Sequence, residues 1–440
     1  MFNSIRDAFK IKELRMRLLF TFLMLIVIRL GCQMPLPGVD PDVFKNLFER
    51  AGSSMNFFDA ITGGSFEQMS LFALNITPYI TASIIIELLT VAFPKLEEMQ
   101  REGESGRKKL VQLTRYLTIA LSILESVAMG IGFGRSGYLD DFSFFGVLSL
   151  TAGLTAGSAI LMWIGERITL QGVGNGISIV LIINIISRMP QDMTSLWNEF
   201  VNVKGKTVPR MVLSAAIIFL IIIGVVVMVV ILNAAERRIP VQYSKKLVGR
   251  QMVGGQSTYI PLKVNTAGVI PVIFSESIME TPVIIMALLG KNNGTGFWYG
   301  VLKGLSQSNW FNTDNWIYTI GAAVFVLLNI AFAYFYTEIT FNPLEIADNL
   351  KKQGGFIPGI RPGKPTSDYL TTVANRIIFI GAIGLSIVAI VPIMLNGLFK
   401  ANVSFGGTSI IIVVGVVIET LTQIESQMMV RNYKGFLSDK

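Results

Sequence analysis

Ten apolar stretches recur along this chain, at roughly 18–34, 72–93, 113–133, 147–164, 175–189, 211–232, 266–289, 316–336, 377–395 and 408–428. A helix of about 20 apolar residues spans the hydrocarbon core of a bilayer. Lipid offers no water to backbone N–H and C=O groups, so a spanning segment is a helix or part of a closed barrel. The runs are continuous, not alternating, which points to helices. With 52% hydrophobic and 15% charged residues in 440, the composition agrees. The expected fold class is all-α, polytopic and membrane-embedded, with ten transmembrane helices. The fifth stretch is short and opens on glycines (GVGNGIS).

What is missing narrows the chemistry. There is no histidine and one cysteine, Cys32. That excludes disulfides, c-type haem, iron–sulfur clusters and His/Cys zinc sites. No Walker A or other nucleotide signature is present, so any energy must come from another molecule or an ion gradient. No cofactor is expected. The first stretch is flanked by Arg15 and Arg17, contains Arg29, and runs into QMPLPGVD without a small-residue cleavage site. It reads as a retained span.

Charge sets the orientation. With the N-terminus inside, inner segments and span ends hold 26 of the 37 basic residues, the outer loops 10, and Arg29 lies within a span. The bias predicts both termini on the inner side. Two inner loops carry more than topology needs. Residues 233–265 alternate (IPVQY, then GG, then STYIPLK) as a protruding β-hairpin does. Its tip holds Lys245, Lys246 and Arg250, with Arg237 and Arg238 at its base. Residues 337–373 contain NLKKQGGFIPGIRPGKPT, a Gly- and Pro-punctuated loop that presents Arg361 between Ile360 and Pro362. A rigid, basic, protruding surface suits an acidic partner, either RNA phosphates or an acidic protein.

Ten spans divide into two halves, 1–189 and 190–440. The second span of each opens on a matching oddity, NITPYITAS and TAGVIPVIFSES, each with a proline about one turn in. An odd number of spans per half inverts the second half, and interrupted helices at corresponding positions place a pathway at the repeat interface. Three function classes fit this pattern. One is a protein-conducting channel. Another is a secondary transporter with Glu87, Glu276 and Glu280 as ion-coupling carboxylates. The third is a scaffold without a pore. Composition alone leaves the first two open.

Several stretches in order narrow the choice: RLGCQMPLPGVD, ITPYITASIII, REGESGRKKLVQLTRY, LMWIGERIT, GVGNGISI, RRIPVQYSKK, QSTYIPLKVNTAGVIPVIF, FNPLEIADNLKKQGGFIPGIRPG and FGGTSIIIVV. On these the chain, from about residue 14 to 432, resembles the SecY family of bacterial Sec translocase channel subunits. The resemblance implies a clamshell of two five-helix halves around an hourglass pore. That pore would also open sideways into lipid, between helices 2 and 3 on one side and 7 and 8 on the other. It implies no enzymatic activity. Unfolded secretory precursors would thread through, and membrane-protein segments would leave into lipid. The implied partners are SecE, SecG or an equivalent, the SecA ATPase and the ribosome, in the bacterial inner membrane.

Carried over residue by residue, the resemblance places Ile76, Ile80, Ile177, Leu181, Ile273 and Ile412 in a pore ring. It matches residues 56–66 (NFFDAITGGSF) to a plug, with Phe57, Phe58 and Ile61 as its apolar side and Gly63 and Gly64 as its hinge. Asn75, Thr77, Thr81 and Ser83 would hold the sideways gate. Glu87 stands where the family often has a neutral amide, and Glu276 and Glu280 where small or apolar residues are usual; all three are gate candidates. Arg361 matches the family's critical loop arginine. Arg237, Arg238, Lys245, Lys246 and Arg250 join it as the docking surface for SecA and the ribosome.

Overall fold

The computed structural model describes residues 9–39, 62–135, 137, 139, 142–201, 208–243, 246–248, 251–253, 257–288, 297–311, 316–399 and 407–438. In chain order its helices are α1 (Lys12–Cys32), α2 (Thr77–Ala92), α3 (Pro94–Arg101), α4 (Glu104–Arg135), α5 (Phe144–Gln171), α6 (Gly176–Leu196), α7 (Val208–Ala234), α8 (Ile270–Leu288), α9 (Phe297–Leu305), α10 (Ile320–Thr340), α11 (Pro343–Lys352), α12 (Lys364–Phe399) and α13 (Gly407–Ser438). Every apolar stretch named above coincides with one of these helices. Among the described residues, six helical segments are long and apolar enough to cross a membrane. They are Glu104–Arg135, Phe144–Gln171, Met211–Ala234, Trp316–Lys352, Lys364–Leu395 and Thr408–Met428; α2 and α3, bent by 103° at Phe93, would add a seventh.

The prolines of the second span in each half do not sit one turn in, as expected. Each sits at the start of its helix. Pro78 is the second residue of α2 and Pro271 the second of α8. Proline lacks the N–H that the first turn leaves unpaired, and its fixed φ already suits a helix. The span expected from residue 72 therefore begins as helix only at Thr77. Residues 71–76 are turns instead, with Ala73 N bonded to Ser70 O at 3.0 Å and Asn75 N to Phe72 O at 2.9 Å. Asn75 takes φ 52° there, a left-handed conformation that asparagine tolerates better than most residues.

Hydroxyl and glycine stripes let the helices approach. Along α4 the residues Thr114, Thr118, Ser122 and Ser126 recur every four positions and are all buried. Each hydroxyl bonds a carbonyl one turn back on its own helix, as Thr118 Oγ1 does to Thr114 O at 2.7 Å. A stripe of small residues on one helical face lets a neighbour pack close, the usual means of association in lipid. α5 fills it, with Thr155 Oγ1 3.4 Å from Ser126 Oγ. Between α5 and α6, a Cβ added to Gly176 would stand 1.8 Å from Gly165 O, so only glycine permits that crossing.

The packing repeats. In the first half α2 lies on α4, α4 on α5, α5 on α6, and α1 on both α5 and α6. In the second half α8 lies on α10, α10 on α12, α12 on α13, and α7 on both α12 and α13. Each contact in one half has its counterpart five spans on. The halves meet where α6 packs on α13 and where α4 meets α8.

Outside the bundle lies a small sheet. Strands β1 (Glu236–Tyr243) and β4 (Ser257–Lys263) pair antiparallel from Glu236↔Lys263 to Gln242↔Ser257. Beyond them β2 (Lys246–Val248) pairs with β3 (Gln251–Val253). This is the hairpin expected from alternation, with Ile239 and Val241 buried and Arg238 and Gln242 facing out.

Candidate pore and docking surface

Four of the six ring candidates converge. Leu181 from α6 and Ile412 from α13 are buried in one apolar cluster, and Ile80 from α2 and Ile273 from α8 pack against it. Two helices come from each half. Ile185 and Val416 complete the buried part, with Ile182, Val269 and Val413 against it. These five were not anticipated; Ile185 and Val416 lie one turn beyond Leu181 and Ile412, a spacing that shares a helix face.

Ile76 and Ile177 lie elsewhere. Ile76 is the residue before α2, wholly buried in the core of the first half with Phe72, Leu161 and Ile164. Ile177 packs in that same cluster, and its Cδ1 would lie 2.6 Å from a Cβ placed on Gly165. Ile80 touches both clusters and joins them. Ile76 and Ile80 are one turn apart, with Ile80 N bonded to Ile76 O at 3.0 Å, and both pack in the first-half core, but of the two only Ile80 also reaches the four-helix cluster.

Of the plug segment, Phe57, Phe58 and Ile61 lie outside the described residues. Its end is clamped. Gly63 and Gly64 have φ of 68° and 85°, where side chains with a Cβ are strained. Arg29 Nη1 donates to Gly63 O at 3.1 Å, which gives the arginine near the end of α1 a backbone partner. A few residues on, Arg188 Nη1 bonds Glu67 Oε2 at 2.7 Å. Both ends of the Gly63–Glu67 turn are thus tied to helices of the first half, α1 and α6.

The gate candidates separate into three groups. Asn75 is fully buried and accepts from Asn184 Nδ2 at 3.1 Å, which ties it to α6 of its own half. Asn184 Oδ1 in turn lies 3.8 Å from Cys32 Sγ. Thr81 Oγ1 donates to Thr77 O at 3.1 Å, a bond within α2. Ser83 and Glu87 are half-buried. Glu276 is buried and accepts from Gln307 Nε2 at 2.9 Å, with Thr408 a second hydrogen-bonding neighbour. Both partners belong to the second half, so Glu276 ties α8 to its own half. The side chain of Glu280 is outside the described residues.

The two basic loops, 233–265 and 337–373, are one structure. β5 (Gly355–Phe356) of the second loop pairs with β1 of the first, at Gln242↔Phe356 and Tyr243↔Gly355, giving the strand order β4-β1-β5. Beneath lies a separate core of Ile239, Val241, Leu262, Leu350, Ile357 and Leu370. Leu370 belongs to α12, which extends well before the stretch expected from residue 377 and carries this core. Arg237, Arg238 and Arg361 are exposed. Arg238 Nε bonds Glu236 Oε1 at 2.6 Å and stacks over Tyr259 at 4.8 Å. The hydrogen bond to Glu236 and the nearby Tyr259 push the Arg238 guanidinium further up, so it stays charged. The Arg361 carbonyl accepts from Thr366 Oγ1 at 2.8 Å, between Gly359 and Gly363, both at positive φ. Lys245 and Arg250 are outside the described residues, as is the side chain of Lys246 in β2.

The SecY family model matches residues 70–421, which hold the whole four-helix cluster and both inner loops. The chain belongs to the SecY family. A Halalkalibacterium halodurans relative, Protein translocase subunit SecY, is 41% identical over 442 residues, covering 99% of this chain and 100% of that one. The Streptomyces griseus protein of the same name is 44% identical over 453 residues, with the same coverage. Two solved structures share the fold. "The structure of a protein conducting channel" superposes with TM-score 0.67 at 20% identity, covering 94% of this chain and 92% of that one. "Sec61 in the Canine ribosome-channel complex from the endoplasmic reticulum" gives 0.61 at 18%, with the same coverage. For Ile185 and Val416 the one signal in the sequence was their spacing from Leu181 and Ile412. The β1–β5 pairing left no sequence signal, since β5 has two residues.

Proposed function

We propose that this chain is a protein-conducting channel. Unfolded secretory polypeptides pass through it, and signal sequences and transmembrane segments leave it sideways into lipid. The observation that carries the reading is the aliphatic cluster in which Ile80, Leu181, Ile273 and Ile412 meet from four helices, two per half. A narrow aliphatic constriction dewets and blocks ions. It offers a passing peptide no donor or acceptor, so it slides past any sequence without holding it. Ile76 and Ile177 back this constriction from the first half. The relatives' name, protein translocase subunit, supports the same reading.

The remaining parts follow. The Gly63–Gly64 turn hinges a plug of residues 56–66 that includes Phe57, Phe58 and Ile61. The sideways gate lies where α4 meets α8, between the halves 1–189 and 190–440, with Thr77, Thr81, Ser83, Glu87, Glu276 and Glu280 on its flanking helices. The basic sheet and its loops, with Arg237, Arg238, Lys245, Lys246, Arg250 and Arg361, dock SecA or a ribosome, and these partners supply the energy. SecE clamps the halves and a SecG-like subunit accompanies them. Both termini lie in the cytoplasm, and the membrane is the bacterial plasma membrane.

A crosslink tests the reading. Cys32→Ser keeps a hydroxyl donor toward Asn184, and a new cysteine replaces Ile80. A second cysteine sits in the mature part of a stalled precursor. With SecE, SecA and ATP, oxidation is expected to give a precursor-length adduct that requires ATP. No adduct at Ile80, Leu181, Ile273 or Ile412, in a preparation that assembles with its partners, would overturn it.

A further inference from the structure

Between α8 and α10 the chain builds a platform whose outward face is apolar. In α9, Phe297 and Trp298 are 80% and 74% exposed, and Val301, one turn on, shares their face. In the turn Trp316–Thr319, Trp316 and Ile317 are 56% and 77% exposed. α9 packs against that turn, so the two apolar groups adjoin.

The inward side is built. Trp310 is fully buried against Phe325, ring centroids 5.8 Å apart, and its Nε1 donates to Gly304 O at 2.7 Å. A Cβ on Gly321 would stand 1.8 Å from Gly304 O, so the end of α9 sits directly on the start of α10. Phe311 N bonds Thr319 Oγ1 at 3.2 Å. Gln307, in the same segment, donates to Glu276 of α8. The platform is hydrogen-bonded to α8 and packed directly on the start of α10 at Gly321.

A rigid surface that turns two tryptophans, a phenylalanine and an isoleucine outward is out of place in water. Aromatic side chains of this kind concentrate at the membrane–water interface, where the ring body meets acyl chains and the polar edge meets headgroups. Lys303, exposed on α9, adds a long cation able to reach a headgroup phosphate. The platform's apolar face continues that of α10, where Ile320 and Leu327 are also exposed.

We propose that α9 and the turn Trp316–Thr319 form an anchor in the headgroup layer of the outer leaflet, joined to α8 through the Gln307–Glu276 bond. This goes beyond the conducting function. It rests only on the membrane placement of α10.

The test uses the full chain with Cys32→Ser, assembled with its partners in liposomes of phosphatidylethanolamine and phosphatidylglycerol. Single nitroxide labels are placed at Ile317, at Leu327 as a lipid-facing control, and at Asp348 as an aqueous control. Collision with oxygen and with a water-soluble nickel chelate is then compared. At Ile317 oxygen should exceed nickel, with a ratio between those of Leu327 and Asp348. In a background of Trp298→Ser and Trp316→Ser, the ratio at Ile317 should fall at least about twofold. A ratio like that of Asp348 puts the face in water and overturns the anchor. Exclusion of both reagents means a protein covers it, which overturns it too. An unchanged ratio in the double variant removes the tryptophans from the role. If Leu327 itself behaves as aqueous, the membrane placement of α10 fails and the anchor fails with it.

Discussion

At the scale of single residues, the side chains that matter most are those whose neighbours come from other helices. Ile80 and Ile273 are ordinary apolar residues until four helices bring them to Leu181 and Ile412. Replacing both Ile80 and Ile273 by glycine should open the dewetted constriction to water, so the closed channel leaks ions in planar bilayers. Unchanged conductance would remove them from the barrier. Gly63 and Gly64 give a sharper contrast. Both have positive φ, where an added Cβ costs about 1–2 kcal/mol. At Gly63 that Cβ would also meet Asn184 Cα at 2.8 Å, whereas at Gly64 it would reach only Arg188 Nη1 at 3.6 Å. Gly63→Ala should therefore lower the thermal unfolding midpoint of the purified complex clearly more than Gly64→Ala. Equal shifts would mean the close approach to α6 is not felt. Exposure was legible where the signal is local, as at Arg361 between Ile360 and Pro362. Roles were not legible at Asn75 or Glu276, where partners 109 and 31 residues away decide which half each one serves.

At the scale of elements, the two inner loops act as one. Strand β1 is shared, with β4 on one side and β5 on the other. At Gly355 a Cβ would meet Tyr243 Cε1 at 2.9 Å. Gly355→Val should thus part β5 from the hairpin while leaving the bundle folded. Faster amide exchange at Phe356 and weaker SecA binding, with intact partner assembly, are the expected results; normal binding would show that the third strand does not matter for docking. Arg361→Glu should abolish SecA-driven transport and leave assembly untouched. Transport at the usual rate would sink the docking role. The hairpin was readable from its alternation, because β1 buries one face against its own small core. The two-residue β5 was not, since a strand that short has no period.

Over the whole molecule, the same five helix packings occur twice, and the halves touch where α6 meets α13 and α4 meets α8. Each half has its own apolar core. Chains cut between residues 201 and 208 and expressed together should therefore copurify as a channel. Failure of the first half to survive beside the second would mean the halves are not separate folding units. Apolar runs of spanning length, the basic bias of one side and the paired prolines follow from sequence alone, because lipid forces every backbone group into a helix and leaves the hydropathy pattern visible. Tertiary structure alone decided which apolar residues gather where the halves meet and which fill the core of one half. In a membrane both kinds are aliphatic, so hydropathy cannot separate them. Only the crossing of helices distant in sequence does.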